Sequence, residues 1–337
     1  MTSSKSGVSN VCLCFTDGSG VYYKHSLVVL ASVFENTRTP VRVHLVIDDT
    51  LSESGKEAFT ALAKRYGHET IFHPVPPLPR AVVESVRGGY GIGTVFRLFI
   101  PELVQEEQVL YMDCDVVCTL DVAEILALDI GELPAAAVRD AGQLTSRHLA
   151  RLRGIGLDST RYCNAGVVRL NLARIRADFP DYTQTMLDSL AGKKLSYVDQ
   201  DALNLYFQAR DCNICVLPDA YNYIISVADR AYLDPPAYAG KILHYTRDKP
   251  WAAIYPAALL YWKYYAIAFS GTEAFNAMER LGRHEYAHLH AFLLRTPRMR
   301  RMVNRAWQIS EHGIIKTLLD RLVPSRKKQK RHTCKHA

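Results

Sequence analysis

Two aspartates directly after a predicted strand constrain this chain more than any other feature of its sequence. The apolar run Gln108–Met112 predicts a buried strand, and Asp113 and Asp115 follow it with one residue between them. Side chains two residues apart on an extended backbone point to the same side, and carboxylates held that close repel each other unless a cation lies between them. Oxygen ligands suit Mg²⁺ or Mn²⁺, and open α/β sheets bind ligands at the carboxyl ends of their strands. The pattern predicts a divalent metal site, although a bare Asp-x-Asp also fits a solvated turn or a helix N-cap.

Length and composition are those of a soluble α/β protein. The 337 residues are enough for one large domain with additions or for two domains, and 22% of them are charged. No apolar segment precedes Asn10, so we predict no secretory signal and expect a cytoplasmic chain. The apolar stretch Trp251–Phe269 is interrupted by Pro256 and Lys263, and we interpret it as core or interface rather than as a membrane span.

The N-terminal part alternates strands with helices. Strands are predicted at Val11–Thr16, Val41–Ile47 and Thr70–His73, with helices at Tyr22–Phe34 and Ser52–Tyr66 between them. This order predicts a parallel sheet with right-handed crossovers. A Pro- and Gly-rich connection over residues 74–93 follows, which we interpret as a lid or an acceptor loop.

Further strands are predicted after the two aspartates. They span Ala135–Arg139, Val167–Leu172, Ile214–Leu217 and Lys241–His244, and helices are predicted at Tyr182–Leu190 and Asp199–Phe207. Residues 143–161 are a polar stretch without a predicted element. Arg169 is unusual on a buried strand, and we expect its side chain to reach an edge of the sheet.

Five motifs occur in one order along the chain. They are Tyr111-Met-Asp-Cys-Asp-Val, Cys163-Asn-Ala-Gly-Val-Val-Arg-Leu-Asn-Leu, Tyr197-Val-Asp-Gln-Asp-Ala-Leu-Asn, Leu217-Pro-Asp-Ala-Tyr-Asn and His244-Tyr-Thr-Arg-Asp-Lys-Pro-Trp. This series resembles the family 8 retaining glycosyltransferases, which include bacterial lipopolysaccharide galactosyl- and glucosyltransferases and glycogenin. The resemblance covers roughly residues 10–252. It implies an α/β fold of the GT-A type, a Rossmann-like mixed β-sheet with flanking helices, for a catalytic domain over residues 10–270.

The resemblance also implies a metal site for the donor substrate. Asp113, Asp115 and His244 would hold Mn²⁺, or Mg²⁺, against the diphosphate of a UDP-sugar. The metal would act there as a Lewis acid on the leaving nucleoside diphosphate. Lys249 resembles the phosphate-binding lysine of the family, and Arg247 is a further candidate for a phosphate contact.

The remaining site residues follow from the same resemblance. Thr16 and Asp17 would contact the uracil base, Arg97 would bridge the sugar and neighbouring carboxylates, and the donor sugar would be lined by Asn164, Asp199, Gln200 and Asp140. Gln200 would lie near the anomeric carbon and Asp199 would accept bonds from sugar hydroxyls. Because an amide is a poor nucleophile, this favours same-face attack over a glycosyl-enzyme intermediate.

The expected function is therefore that of a retaining hexosyltransferase. It would transfer galactose or glucose from UDP-galactose or UDP-glucose to a glycan or lipid-linked acceptor, in lipopolysaccharide or surface polysaccharide synthesis. Two departures from the family pattern leave an alternative open. Gly18-Ser19-Gly20 follows Asp17 where the family commonly has Asp-Asn-Tyr, and the His244 motif is one residue short. The alternative is a catalytically inactive homologue that binds a nucleotide sugar or a glycan.

Two C-terminal features lie outside the resemblance. His284-Glu285-x-x-His288 matches the signature of zinc metalloproteases, a remote alternative to a solvated helix face. From Arg283 onward fourteen Lys and Arg stand against three Asp and Glu, so residues 1–282 carry a net charge of −4. We expect residues 271–337 to form a helical, basic extension that binds the anionic inner face of the cytoplasmic membrane, and we expect no nucleic acid partner.

Overall fold

The computed structural model describes residues 7–86, 91–140, 145–193, 195–226, 235–246, 249–252 and 257–269. The chain divides into two compact units, Met1–Ile224 with Ala239–His244 and Ile225–Tyr238 with Tyr245–Ala337. Arg247, the His284–His288 motif, the predicted domain boundary at residue 270 and the basic extension lie outside the described residues. The expectations for them stay predictions.

The elements follow the chain in an alternating order. The strands are β1 Ser9–Phe15, β2 Val41–Ile47, β3 Glu69–Pro74, β4 Gln108–Met112, β5 Val116–Cys118, β6 Ala135–Arg139, β7 Cys163–Asn171, β8 Cys215–Leu217, β9 Tyr223–Ile224 and β10 Ile242–His244. The helices are α1 Tyr22–Asn36, α2 Glu53–Arg65, α3 Arg80–Ser85, α4 Ile100–Leu103, α5 Val122–Leu126, α6 Ser146–Gly154, α7 Leu172–Asp178, α8 Tyr182–Gly192, α9 Val198–Ala209, α10 Pro235–Tyr238 and α11 Ala258–Phe269. Short 3₁₀ helices span Ile92–Phe99, Ser159–Arg161 and Asp219–Asn222.

The main sheet is mixed. In the described part of the chain its strand order is β3-β2-β1-β4-β7-β6-β8. β1 pairs in parallel with β2 and with β4, whereas β7 runs antiparallel to both of its neighbours, β4 and β6. The chain moves from β1 out to β3 and then returns to place β4 on the other side of β1. The strand order therefore reverses between β1 and β4, where open α/β sheets form their binding crevice.

A smaller sheet has the strand order β5-β10-β9, and β5 closely follows β4 along the chain. β10 runs antiparallel to β5, and the pairing sets His244 opposite Val116, the residue that follows Asp115. The register of these two short strands thus fixes which residue of β10 meets the aspartates.

The helices were predicted less completely than the strands. The polar stretch 143–161 contains α6, whose buried side chains His148 and Leu152 are four residues apart on one face. Thr145 caps this helix by accepting a hydrogen bond from the backbone N–H of His148 at 3.3 Å. The connection 74–93 contains α3, and its residues 87–90 lie outside the described residues.

The expectation for Arg169 was wrong. β7 lies inside the sheet, and Arg169 is only 8% exposed. Its guanidinium donates to the carbonyl oxygens of Ile125 and Leu128 at the end of α5 and to the side chain of Gln108 at 2.8 Å. Burial lowers the pKa of Arg169. The residue is a structural cap of α5 rather than a surface cation.

The second unit includes the apolar stretch Trp251–Phe269. Tyr261 and Tyr264 of α11 are buried, and the rings of Trp251 and Tyr261 lie 5.7 Å apart. The Tyr245 hydroxyl donates to the carbonyl oxygen of Ala257 at 2.8 Å. Among the described residues, no helix combines the length and the apolar character that crossing a bilayer requires.

Candidate active site

The sheet topology brings the polar ends of several strands to one edge. One residue separates Asp17 from the end of β1, and Asp113 is the first residue after β4. Because β7 is antiparallel to β4, its first residues, Asn164 to Gly166, lie at the same edge, where the Asp113 backbone N–H donates to the Gly166 carbonyl oxygen at 2.7 Å. β6 is antiparallel to β7, so Asp140 after β6 belongs to this edge as well.

Asp113, Asp115 and His244 converge on one point. Each offers a ligand atom, and these atoms all lie within 4.8 Å of one another. Nε2 of His244 is 3.3 Å from Oδ1 of Asp115 and 3.5 Å from Oδ2 of Asp113. In the described part of the chain this is the one group of three such side chains that could hold a metal ion. Two carboxylates and an imidazole form a donor set that can hold a divalent metal ion.

Arg97 connects Asp113, one of the candidate metal ligands, with Asp199 of helix α9. Its guanidinium donates to Oδ1 of Asp113 at 2.8 Å and lies 3.0 Å from Oδ2 of Asp199. It also donates to the Ala165 carbonyl oxygen at 2.7 Å and lies 4.4 Å from the centre of the Tyr111 ring. Burial alone lowers the pKa of Arg97, but the charges of Asp113 and Asp199 outweigh burial and raise it. The arginine is thus charged and bridges two carboxylates, while its contact with the sugar stays a prediction.

Asp199 and Gln200 begin the helix α9. Burial raises the pKa of Asp199 to about 6, against the opposing charge of Arg97. Both ends of the Gln200 amide are engaged, because Oε1 accepts from the Ala165 backbone N–H at 3.1 Å and Nε2 donates to Oδ2 of Asp140 at 2.7 Å. Oδ1 of Asp140 is buried and has no hydrogen-bond partner among the residues that the structure describes. Such an oxygen can accept a hydrogen bond from a sugar hydroxyl.

The start of α9 depends on Asp201, which the sequence analysis did not single out. Its carboxylate is fully buried and accepts from the Tyr162 hydroxyl at 2.6 Å, from Arg151 at 2.7 Å and from the Tyr197 backbone N–H at 3.0 Å. Val198, with φ of +22°, takes a backbone conformation that β-branched residues rarely adopt. These contacts hold the strained turn that directs Asp199 and Gln200 into the site.

A layer of amides supports His244. Asn222 precedes β9, and its Oδ1 lies 2.9 Å from Nδ1 of His244. Its Nδ2 donates to Oδ1 of Asn164 at 2.7 Å, and the same oxygen accepts from the Gly166 backbone N–H at 2.8 Å. Asn222 ends one of the five motifs, yet no role could be assigned to it from the sequence, because its partners come from β7 and β10.

Thr16 and Asp17, the predicted contacts of the uracil base, bond to residues that the sequence analysis did not single out. Thr16 donates to Oδ2 of Asp48 at 2.8 Å, and Thr50 accepts from the Asp17 backbone N–H at 2.7 Å. Oδ1 of Asp17 accepts from the backbone N–H groups of Tyr22 and Tyr23 in the first turn of α1. Asp17 therefore has a structural contact beside any contact with a ligand.

Lys249, a candidate phosphate contact, is not in the same unit as Asp113, Asp115 and His244. Lys249 belongs to the second unit, where its ammonium donates to the Tyr245 carbonyl oxygen at 3.1 Å. Arg247 lies outside the described residues. Their roles stay predictions.

Comparison with protein-family models assigns the chain. Residues 12–255 match the model described as Glycosyl transferase family 8. The chain belongs to glycosyltransferase family 8. The enzyme class and the family predicted from the five motifs are confirmed.

Relatives of this family 8 member cover different shares of it. A lipopolysaccharide 1,2-glucosyltransferase of Escherichia coli is 28% identical over 250 residues, which are 68% of this chain and 70% of the relative. A probable glycosyl transferase Gly of Streptococcus gordonii is 35% identical over 162 residues, which are 47% of this chain and 22% of that protein. The family 8 chain thus spans less than a quarter of the streptococcal relative.

A solved structure shares the fold. The galactosyltransferase LgtC, in complex with donor and acceptor sugar analogs, matches with a TM-score of 0.63 and 21% identity over 80% of this chain and 99% of that chain. The predicted GT-A type, a mixed sheet with flanking helices, is confirmed by this likeness and by the sheet described above.

Proposed function

We propose that this family 8 enzyme transfers galactose or glucose from a UDP-sugar to a glycan or lipid-linked saccharide, with retention at the anomeric carbon and with Mn²⁺ or Mg²⁺ bound by Asp113, Asp115 and His244. The observation that carries the proposal is the convergence of these three side chains at the carboxyl edge of the sheet. When bound there, the metal would neutralise the charge that develops on the leaving nucleoside diphosphate.

The nucleoside, the diphosphate and the sugar are proposed to bind along this edge of the sheet, with the metal at the diphosphate. Thr16 and Asp17 follow β1 at the switch point, where the uracil base would lie. Lys249 and Arg247 would add cationic contacts to the diphosphate. The sugar would lie against Asp199, Asp140 and the Nδ2 group of Asn164.

The residues near the sugar support attack from the face of the leaving group. Gln200 is a neutral amide held by two hydrogen bonds, and Asp199 is paired with Arg97. Neither is arranged as an activated nucleophile. The acceptor hydroxyl would therefore lose its proton to the departing phosphate. A sugar trapped covalently on Gln200 or Asp199, detected by mass spectrometry, would overturn this mechanism.

The first test is UDP release with Mn²⁺ over a panel of UDP-sugars. We expect release with UDP-galactose or UDP-glucose, its loss in EDTA, and its loss in Asp115→Asn, which keeps the size of the side chain and removes its charge. Activity that survives both EDTA and Asp115→Asn would contradict the metal assignment. Binding of a UDP-sugar without release or transfer would favour the catalytically inactive alternative.

We further propose that the enzyme acts at the inner face of the cytoplasmic membrane, in lipopolysaccharide or surface polysaccharide synthesis. The net charge of +11 from Arg283 onward supports attraction to anionic lipid, and the Escherichia coli relative is a lipopolysaccharide glucosyltransferase. The test compares the full chain with a form that lacks residues 295–337, on vesicles with and without anionic lipid. Equal binding of both forms would contradict the proposal.

A further inference from the structure

His244 stands at the end of a buried chain of hydrogen bonds that reaches Nδ1, the ring nitrogen that does not face the two carboxylates. The chain begins at the backbone N–H of Gly166, passes through Oδ1 of Asn164 and the amide of Asn222, and reaches Nδ1 of His244. Asn222 is 1% exposed, His244 3% and Asn164 6%. Water therefore has little access to these groups, and each bond depends on the orientation of the one before it.

The direction of every bond in this chain follows from its first member. A backbone N–H can only donate, so the Asn164 atom that faces Gly166 is the carbonyl oxygen. The Asn222 atom that faces this oxygen must then be the amide nitrogen, which turns the Asn222 carbonyl oxygen toward His244. An acceptor opposite Nδ1 requires that Nδ1 carries the hydrogen. In a neutral imidazole, Nε2 then carries a lone pair.

The carboxylates alone would favour the opposite tautomer. Nε2 faces Oδ1 of Asp115 at 3.3 Å and Oδ2 of Asp113 at 3.5 Å. A hydrogen on Nε2 would be attracted by both carboxylates and would occupy the direction in which a metal binds. The acceptor supplied by Asn222 works against that attraction.

We infer that Asn222 is a positioning residue: it holds His244 in the tautomer whose Nε2 can bind a metal, and Asn164 and Gly166 fix the orientation of Asn222. The inference rests on the proposed metal site at Asp113, Asp115 and His244. It also narrows the role of Asn164, because both lone pairs of its carbonyl oxygen are used in the chain. Only its Nδ2 group is left to contact a sugar.

The tautomer is tested on the metal-free protein. Nitrogen-15 NMR of histidine-labelled protein separates protonated from unprotonated ring nitrogens, and the His244 signals are assigned as those absent from His244→Gln. At a pH at which the ring is neutral, we expect hydrogen on Nδ1 alone in the unchanged protein and on Nε2 in Asn222→Leu. Mn²⁺ affinity, measured by the free-ion EPR signal, should fall by about 10- to 100-fold in the same variant.

Matched variants separate positioning from general damage. Asn222→Asp keeps an acceptor opposite Nδ1 but loses the donor to Oδ1 of Asn164, so it should keep the hydrogen on Nδ1 while lowering the free energy of unfolding. Asn204 is also a fully buried asparagine, and it bonds to the backbone N–H and carbonyl of Cys163. Asn204→Leu should therefore lower the free energy of unfolding without changing the His244 tautomer. Asn164→Ala leaves Asn222 in place but free to rotate, and it should give a mixture of tautomers if Asn222→Leu does not fold.

The outcomes distinguish this inference from the proposed function. If the unchanged protein binds no Mn²⁺, the metal assignment fails whatever the tautomer. Where the unchanged protein does bind Mn²⁺, only the role of Asn222 is overturned if Asn222→Leu keeps both the tautomer and the affinity. Asn164→Ala takes the place of Asn222→Leu in this comparison if that variant does not fold. A changed tautomer with unchanged affinity overturns that role as well.

Discussion

A Cβ atom on Gly166 would lie 2.1 Å from Cε1 of His244 and 2.7 Å from its Nδ1. No carbon atom can approach an imidazole this closely. The backbone of β7 thus passes directly against His244, and the position admits no side chain.

Gly166→Ala is therefore expected to displace His244 and to abolish Mn²⁺ binding, because a methyl group would also lie 2.9 Å from Oδ2 of Asp113. A misplacement of about 1 Å in a site can cost about 100-fold in rate, so UDP release should fall by at least that factor. Gly154→Ala is the control. Gly154 ends α6 and has nothing within 4 Å of the added carbon, so this change should leave Mn²⁺ binding intact and stabilise the fold by at most about 1 kcal/mol. Normal Mn²⁺ affinity in Gly166→Ala would contradict the prediction.

Arg97→Met is expected to leave the partly buried carboxylate of Asp113 and the buried carboxylate of Asp199 without their cation. Breaking a buried ion pair by removing one partner costs about 3–5 kcal/mol, and urea unfolding should report a loss of this size. The pKa of Asp199 should rise above its present value of about 6, because the opposing charge of Arg97 is gone. Adding Asp199→Asn should restore part of the stability but not the activity. Additive losses in the double variant would argue against coupling between the two residues.

His44 is expected to make the fold sensitive to acid. Burial, His73 and Arg42 lower its pKa from 6.5 to about 3, and Nδ1 lies 3.0 Å from Nε2 of His73. The unfolded chain therefore binds the proton first, so the stability from neutral His44 is complete above pH 6.5 and is lost as the pH falls toward 3. The loss is at most about 1.4 kcal/mol per pH unit. Between pH 7 and pH 4, the free energy of unfolding should fall less in His44→Val than in the unchanged protein, so the difference between the two should change with pH. A constant difference would contradict this.

Arg169→Met is expected to destabilise the fold without altering the chemistry. The change leaves the carbonyl oxygens of Ile125 and Leu128 without their donor, and an unsatisfied buried group costs about 1–3 kcal/mol. The melting temperature should fall, while UDP release per folded molecule should stay the same. A lower rate with an unchanged melting temperature would place Arg169 in the catalytic machinery instead.

The strands of the sheet could be predicted from the sequence because buried runs such as Val11–Phe15 are apolar throughout and end in polar clusters. The helix α6 could not, since only two of its side chains, His148 and Leu152, are buried and three of its nine residues are arginine. The ligand set Asp113, Asp115 and His244 came from a resemblance to a family, and the structure brings its members together. Asn222 and Asp201 could not be assigned a role, because a hydrogen-bond partner from a distant strand leaves no periodic signal in a single sequence.

The pairing of β5 with β10 has a consequence for how this protein tolerates change over generations. His244 meets Asp115 because two three-residue strands are in register, and not because of the distance between the two residues along the chain. Loops between residues 119 and 240 can therefore lengthen, shorten or diverge without moving a ligand, provided that the strands keep their alignment. A one-residue deletion inside β10 would instead turn His244 to the other face of the small sheet. The sequences of these loops can diversify while Asp113, Asp115 and His244 stay together.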